Sequence, residues 1–400
     1  MTTDELSLAQ TPLGGMVVVE IASNVAGPFT GLLLRDLGAR VIKFENPRTG
    51  DDVRGWPPYR QGMSAPFAAF NRGKESVGLD FTTPAGLEVM HRVCAGADVL
   101  VESVRPGRLD VHGLGADKVL ELNPKLVYCS ISGFGRRGPL GCEPGFDAIV
   151  QAYSGLMNLT GYAGSPPARV GTGVIDIGTG LWAALGIVAA LTRRGITGQG
   201  GRVESTLLGT ASGLMMHHLA SVTMADHVPT RAGTAQHNTA PYEAIHAQDG
   251  PVMIGVTNQS LWERVCDALE CSHLLADPRF RTNTDRVDHR DDLVQLLSAA
   301  VSDRLADDVA EMVRAAGVPA SKIRSVADLP TDPQIVAMDL IQETAAGARL
   351  AVSPILFAGR PADITGAVVP ELGSATDTVL KELGYDHAER AQLRETGVTL

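Results

Sequence analysis

Asp176 is the one carboxylate in the stretch ARVGTGVIDIGTGLWAALGIVAALTRR (168–194), set among Gly171, Gly173, Gly178 and Gly180 and followed at once by an apolar run. A carboxylate without a metal partner can serve as a general base, or as a nucleophile that takes up an acyl group as an anhydride. The surrounding glycines leave room for a ligand backbone or a thioester. A helix N-terminus offers unpaired N–H groups and a partial positive charge, an environment expected to keep Asp176 ionised. Aspartate is also a preferred N-cap. On local sequence alone, capping of a helix over Ile177–Arg194 and nucleophilic attack both stand.

Cations recur beside glycine in Arg72-Gly73-Lys74, Arg105-Pro106-Gly107-Arg108 and Arg136-Arg137-Gly138. Such loops suit a polyanion held outside strand ends, or are plain solvated surface. Other familiar centres are missing: there is no GxSxG, HExxH or GxxxxGK[ST]. The adjacent His217 and His218 lie in an apolar helical stretch and point in different directions, which reads as packing rather than metal ligation, and no metal site is expected.

The elements that must position these groups alternate. Met16–Ile21 reads as a strand, Phe29–Leu37 as a helix with Pro28 at its first turn, and Ala39–Glu45 as a second strand. Strands at Val77–Phe81, Asp98–Glu102 and Leu126–Ser132 follow, with helices at Thr83–Ala95 and Asp117–Leu122 between them. This pattern predicts an α/β fold built on an open, mostly parallel, Rossmann-like sheet. The first loop lacks G-x-G-x-x-G, having only Gly27 and Gly31 with Pro28 removing an N–H, so dinucleotide binding with Glu45 as the ribose acid is disfavoured.

Further along, a helix starts near Asp147, and a short strand after Gly198 leads into a helix over Leu207–Met224. Ala225–Thr239 reads as a linker. An α+β segment follows, with a strand at Pro251–Val256, helices at Gln259–Glu270, His289–Ala300 and Ala306–Ala316, and a strand at Val318–Ile323. The expected domains are therefore 1–225 as the first part of a large domain, 226–330 as a small inserted domain, and 331–400 as a linker returning to the large one through helices at Thr376–Leu383 and His387–Glu395.

Composition narrows the class. Four hundred residues exceed one ordinary core. Lys+Arg of 34 against Asp+Glu of 45 gives a net charge of −11, which opposes nonspecific nucleic-acid or anionic-membrane binding. Five cysteines form no CxxC, which fits free thiols in a reducing cytoplasm. The opening MTTDELSLAQTPLGG lacks the features of a secretion signal. The apolar run Ile177–Thr192 is shorter than a bilayer span and reads as a buried helix.

Taken together, the segments AGPFTGLLLRDLGARVIKFENP, FNRGKESVGLDF, ADVLVESVRPGRLDVHGLG, NPKLVYCSISGFG, GFDAIVQAYSGLM, DIGTGLWAALGIVAAL, GQGGRVESTLL, NTAPYEAI, DPRFRTN, AAGVPASKI and LKELGY resemble, in the same order, those of the family III CoA-transferases. This is the carnitine and bile-acid-inducible (CaiB/BaiF) group that includes formyl-CoA transferase, and its superfamily also holds the alpha-methylacyl-CoA racemases. The resemblance implies an interlocked homodimer, each chain with a Rossmann-like large domain and a small inserted one. It implies an acyl-CoA thioester and a carboxylic acid as substrates, with no permanently bound cofactor. It places the nucleophilic aspartate at Asp176, in the D-x-x-[ST]-G segment, passing through a mixed anhydride and an aspartyl-CoA thioester.

The racemases carry a G-H-D segment where this chain has Gly145-Phe146-Asp147, and a supporting acid near Asn258. Phenylalanine cannot move a proton, so the racemase alternative is disfavoured. The resemblance also puts Asn24, Val25 and Ala26 beside the pantetheine and thioester, with Val25 where formyl-CoA transferase has Gln. It assigns Lys74, Ser103 and Arg105 to CoA, with Ser103 replacing a common Asn, and it counts Gly145, Phe146 and Asp147 among the substrate-binding residues. Glu75 and Asn46 stand where arginines are usual, and Arg48 is expected to compensate. A non-catalytic CoA-thioester-binding protein is the remaining alternative.

Overall fold

A computed structural model describes residues 11–400; the first ten, on which most of the secretion-signal reading rests, lie outside the described residues. The chain divides into two compact units. One comprises Met1–Ser154, Val170–Ala220 and Pro333–Leu400, the other Gly155–Arg169 and Ser221–Asp332. Gly155–Arg169, which the sequence reading placed in the large domain, clusters with the second unit, where Arg231 Nη1 donates to the Asn158 carbonyl (3.0 Å) and Oδ1 (2.9 Å).

The first unit is built on a six-stranded sheet. Its strands are β1 (Val17–Ile21), β2 (Arg40–Glu45), β3 (Glu75–Gly78), β4 (Val99–Glu102), β5 (Val127–Ser132) and β6 (Gly201–Thr206). They lie in the order β3-β2-β1-β4-β5-β6, all parallel, with Val18 facing Val41 on one side and Val99 on the other. The expected open parallel α/β fold is therefore observed. Near-continuous apolar strands such as VVVEI and VLVE follow from burial on both faces.

Side-chain alternation sorts these strands onto two cores. Val19, Ile42, Phe44, Leu100 and Tyr128 pack on Val89, Met90 and Val93 of α2 (Pro84–Gly96), joined by Val379, Leu380 and Leu393 of the chain's last two helices. Val18, Val41, Val99, Val127 and Cys129 pack on Leu34 of α1 (Ala26–Asp36) and on Ala183, Ile187 and Leu191 of α5 (Val174–Thr197). Between these come α3 (Ala116–Leu122) and α4 (Asp147–Ser154), and α6 (Leu207–Leu214) follows β6.

Three local expectations change. Strand β3 begins two residues earlier than read, and the expected helix over Leu207–Met224 breaks at Met215. Helix α5 is 24 residues long, with the length and composition of a membrane-crossing helix. It is not buried all round. Its sheet-side residues fill the core, while Leu181, Trp182, Leu185 and Ile196 are exposed.

The second unit has its own core. The strand Gly250–Gly255 pairs antiparallel with Tyr242–Ala247, which was not foreseen, on one side and with Ala320–Lys322 on the other. Helices Gln259–Ala268, Arg290–Ala300 and Ala306–Ala315 cover them, closing over Trp262, Phe280, Leu293 and Val309.

Candidate active site

The strand order reverses between β1 and β4, and doubly wound sheets bind ligands in the crevice at that point, outside the carboxyl ends of the strands. A cleft of about 380 Å³ lies there. Ser23, Asn46, Asp51, Thr82, Ser103 and Arg105 contribute to its lining. Ser23 N–H donates to Ser103 Oγ (3.3 Å), joining the loops after β1 and β4, and Arg105 Nε donates to the Cys142 carbonyl (3.1 Å). Arg48 is exposed, two residues past Asn46.

The loop after β1 turns sharply at Asn24, whose φ of 64° lies in the left-handed region that asparagine tolerates better than most residues. Its N–H donates to Asp51 Oδ1 (3.2 Å). Asp51 belongs to a buried charge cluster under α1. Lys43 Nζ contacts Glu20 Oε1 (2.9 Å), Asp51 Oδ2 (2.8 Å) and the Ala22 carbonyl (2.6 Å). Lys74 Nζ contacts Glu20 Oε2 (2.8 Å), the Pro28 carbonyl (2.7 Å) and Asn71 Oδ1 (2.9 Å).

This corrects the assignment of Lys74 to CoA. Lys74 is buried with its protons committed, so it does not project into the cleft. Burial lowers its pKa to about 8 against the pull of Glu20. Glu45 lines the cleft but is no free ribose acceptor, because it binds Arg54 (2.7 and 2.8 Å), Ser76 Oγ (2.6 Å) and Asp51 N–H (3.0 Å). The glycines of the first loop are also explained by packing. A Cβ on Gly31 would lie 1.9 Å from Glu20 Oε2, and one on Gly27 would lie 2.4 Å from Ala22 Cβ.

Asp176 lies in the first turn of α5, three residues past the N-cap Gly173, and it does not cap the helix. The capping group comes from α4. Asp147 Oδ2 accepts from Ile175 N–H (2.8 Å) and Asp176 N–H (3.2 Å), and Asp147 Oδ1 accepts from Gln151 Nε2 (2.5 Å). Gln151 Oε1 accepts in turn from Val170 N–H (2.9 Å). The neighbouring amides are also taken, Val174 by the Thr172 carbonyl (2.8 Å) and Ile177 by that of Gly173 (2.9 Å).

With these N–H groups occupied, none is left for the Asp176 carboxylate. The expectation of a firmly ionised Asp176 therefore fails: burial and the charge of Asp147 push its pKa up to about 7. The side chain is half-buried and accepts no hydrogen bond among the described residues. Helix α1 approaches the same end of α5. Thr30 Oγ1 donates to the Gly180 carbonyl (3.4 Å), and a Cβ on Gly180 would sit 2.9 Å from the Ala26 carbonyl oxygen. Asn24, Val25 and Ala26 thus open the helix that packs one turn beyond Asp176.

The structure brings Asp176, Asp147 and the start of α1 together, and separately brings Ser103 and Arg105 to the cleft. Gly145 rests on Gly133, where a Cβ on either would fall 3.0 Å or less from the other's Cα, and Phe146 is exposed. Asp147, expected to contact substrate, is instead buried with its carboxylate turned to the α5 amides and Gln151. Gln151 was missed, although it stands one helical turn after Asp147. His217 and His218, expected to point in different directions, instead bring their rings together at 3.9 Å between centroids with planes tilted by 39°, and no cluster of potential metal ligands occurs among the described residues.

A doubly wound sheet, a cleft at its switch point and an unbonded aspartate at the head of a core helix define an α/β enzyme with a carboxylate as its candidate reactive group. The chain belongs to CoA-transferase family III, whose model matches residues 13–376. It is 35% identical to a succinate–glutarate CoA-transferase of Agrobacterium fabrum, across 93% of this chain and 96% of that one. It is 34% identical to an acetyl-CoA:oxalate CoA-transferase of Acetobacter aceti, across 97% of this chain and all of that one (100%). Among solved structures, a CAIB/BAIF family protein from Brucella suis superposes with a TM-score of 0.85 at 36% identity, covering 93% of this chain and 99% of the other. The protein is a transferase that acts on CoA thioesters.

Proposed function

We propose that this enzyme exchanges CoA between an acyl-CoA and a dicarboxylic acid, with Asp176 as the covalent nucleophile. The half-buried, unbonded carboxylate of Asp176 beside the start of α1 carries this reading. Ionised Asp176 attacks the thioester carbonyl, giving an acyl-aspartyl anhydride and CoA thiolate. The thiolate then attacks the aspartyl carbonyl, forming an aspartyl-CoA thioester and releasing the donor acid. The acceptor carboxylate attacks that thioester and frees the thiolate, which takes the new acyl group and restores Asp176. Asn24, Val25 and Ala26 flank the thioester, and Ser103, Arg105 and Arg48 meet the nucleotide end.

Dicarboxylic acceptors follow from the relatives, whose names specify succinate, glutarate and oxalate. Racemisation is opposed by Phe146, which has no proton to transfer. Residues Ile149 and Tyr153 of α4 and Leu181, Trp182 and Leu185 of α5 are exposed, an apolar surface that supports the homodimer reading. Five unpaired cysteines accord with a cytoplasmic setting.

The test is Asp176→Asn, expected to lower CoA exchange by roughly a thousandfold or more while leaving the circular-dichroism spectrum unchanged. Hydroxylamine trapping with mass spectrometry should place the adduct on Asp176 in the parent enzyme. Full turnover by the variant, or an adduct elsewhere, sinks the assignment.

A further inference from the structure

Asp147 spends its hydrogen bonds on the protein, yet among the described residues it is the charged group whose field acts on Asp176. Its Oδ2 holds the Ile175 and Asp176 amides and its Oδ1 holds Gln151, so it has no reach toward a ligand. The other groups facing this end of α5 are neutral: Gln151 of α4, Phe29 and Thr30 of α1, Thr210 of α6, and Thr179 of α5 itself. A helix of this length would ordinarily offer its first amides to an anion. Here a resident carboxylate has taken them.

We infer that Asp147 is a positioning residue for the transfer reaction: it fixes the backbone of Asp176 by capping α5, and its negative charge favours the acylated, neutral state of the Asp176 side chain over the free carboxylate. The inference rests on Asp176 being the nucleophile. Anything that removes the charge of Asp176, a proton or an acyl group, relieves the same desolvation and the same repulsion from Asp147. The proton affinity of Asp176, raised to about 7, reports that pressure. Gly173 adjoins both carboxylates, since a Cβ there would lie at ordinary contact distance from each, 3.7 Å from Asp176 Oδ2 and 3.9 Å from Asp147 Oδ2. The anhydride step stays balanced, because Asp147 neither gives nor takes a proton.

Two variants separate position from charge. Asp147→Ala removes the cap and is expected to lower kcat roughly tenfold or more with little change in the KM for the donor, as a misplaced nucleophile should. The double variant Asp147→Asn with Gln151→Glu preserves the hydrogen bonds. The new amide accepts from the α5 amides and donates to the new carboxylate, which still accepts from Val170 N–H. Net charge is conserved, but it moves away from Asp176.

In the double variant the acid limb of kcat/KM should move from near pH 7 toward the ordinary carboxylate range, and the fraction trapped by hydroxylamine should fall at equal donor concentration. A pH profile and trapped fraction like the parent's would overturn the charge role, and an undiminished kcat in Asp147→Ala would overturn the positioning role. Melting curves of both variants confirm that folded protein is compared. Activity retained by Asp176→Asn would instead remove the nucleophile reading itself.

Discussion

Beneath α1, Lys43 and Lys74 meet Glu20 and Asp51 at 2.8–2.9 Å, whereas at the head of α5 Asp176 and Asp147 lie side by side with no cation paired to either among the described residues. Both places bury charge in one unit, and α1 borders both. In the first, burial works against each lysine, but the carboxylates around Lys43 hold its pKa above the ordinary value. In the second, backbone amides satisfy Asp147 and nothing satisfies Asp176. Paired charge of the first kind makes a fixed floor for the Asn24 turn, through the Asp51 contact. Unpaired charge of the second kind is retained at a cost in stability, and such groups gather at sites of chemistry.

Breaking the floor should have the largest effect on stability. Lys43→Met leaves Glu20 and Asp51 facing each other without their shared cation, and removing one partner of a buried ion pair costs about 3–5 kcal/mol. Urea unfolding measures it. A loss under about 1 kcal/mol, far below that range, would mean that water or relaxation replaces the ammonium and that the cluster is no floor. A smaller effect comes from Gly180→Ala, where the two regions share α1. The new Cβ would lie 2.8 Å from Phe29 Cδ1 and 2.9 Å from the Ala26 carbonyl oxygen, which is backbone and cannot simply swing away. Overpacking of this kind costs about 1–3 kcal/mol. Because the clash pushes α1 away from the Asp176 end of α5, kcat should fall along with the melting temperature. Unchanged kcat in a destabilised protein would uncouple the two helices.

The parallel sheet was legible because its signals are local: strands such as VVVEI carry their burial in composition, and helices between them carry a 3.6-residue period. Asp176 stood out as a lone acid before an apolar run. The partners were not legible, because they come from distant segments. Nothing near Lys74 tells that its ammonium turns inward to Glu20 rather than outward to a phosphate. Nothing near Asp176 tells that a residue of α4 has already taken the amides that would have kept it ionised. Gly31 was readable as a small residue in a nucleotide-like loop, but its reason is the Glu20 carboxylate packed beneath it. Asp147 and Gln151 did leave a trace, an acid and an amide one helical turn apart, though which helix they would serve depends on the fold.

Asp176→Asn separates the two kinds of buried charge most finely, now through stability rather than turnover. Asp176 binds its proton at about 7 in the fold against an ordinary 3.8, so between these values the folded protein holds a proton that the unfolded chain has released. Stability of the parent therefore falls as pH rises through this window and stays reduced above it. Asparagine does not titrate. The variant should match the parent near pH 4 and exceed it at pH 8 by something on the order of 1 kcal/mol, discounted for the half-exposed position of the carboxylate. Parallel unfolding curves at the two pH values decide the matter. An equal gain at both would trace to the shape of the amide rather than to lost charge, and no gain at pH 8 would mean that Asp176 ionises there without penalty. A gain confined to the higher pH, in a protein that has lost CoA exchange, marks a carboxylate kept against its own ionisation for the sake of the reaction it performs.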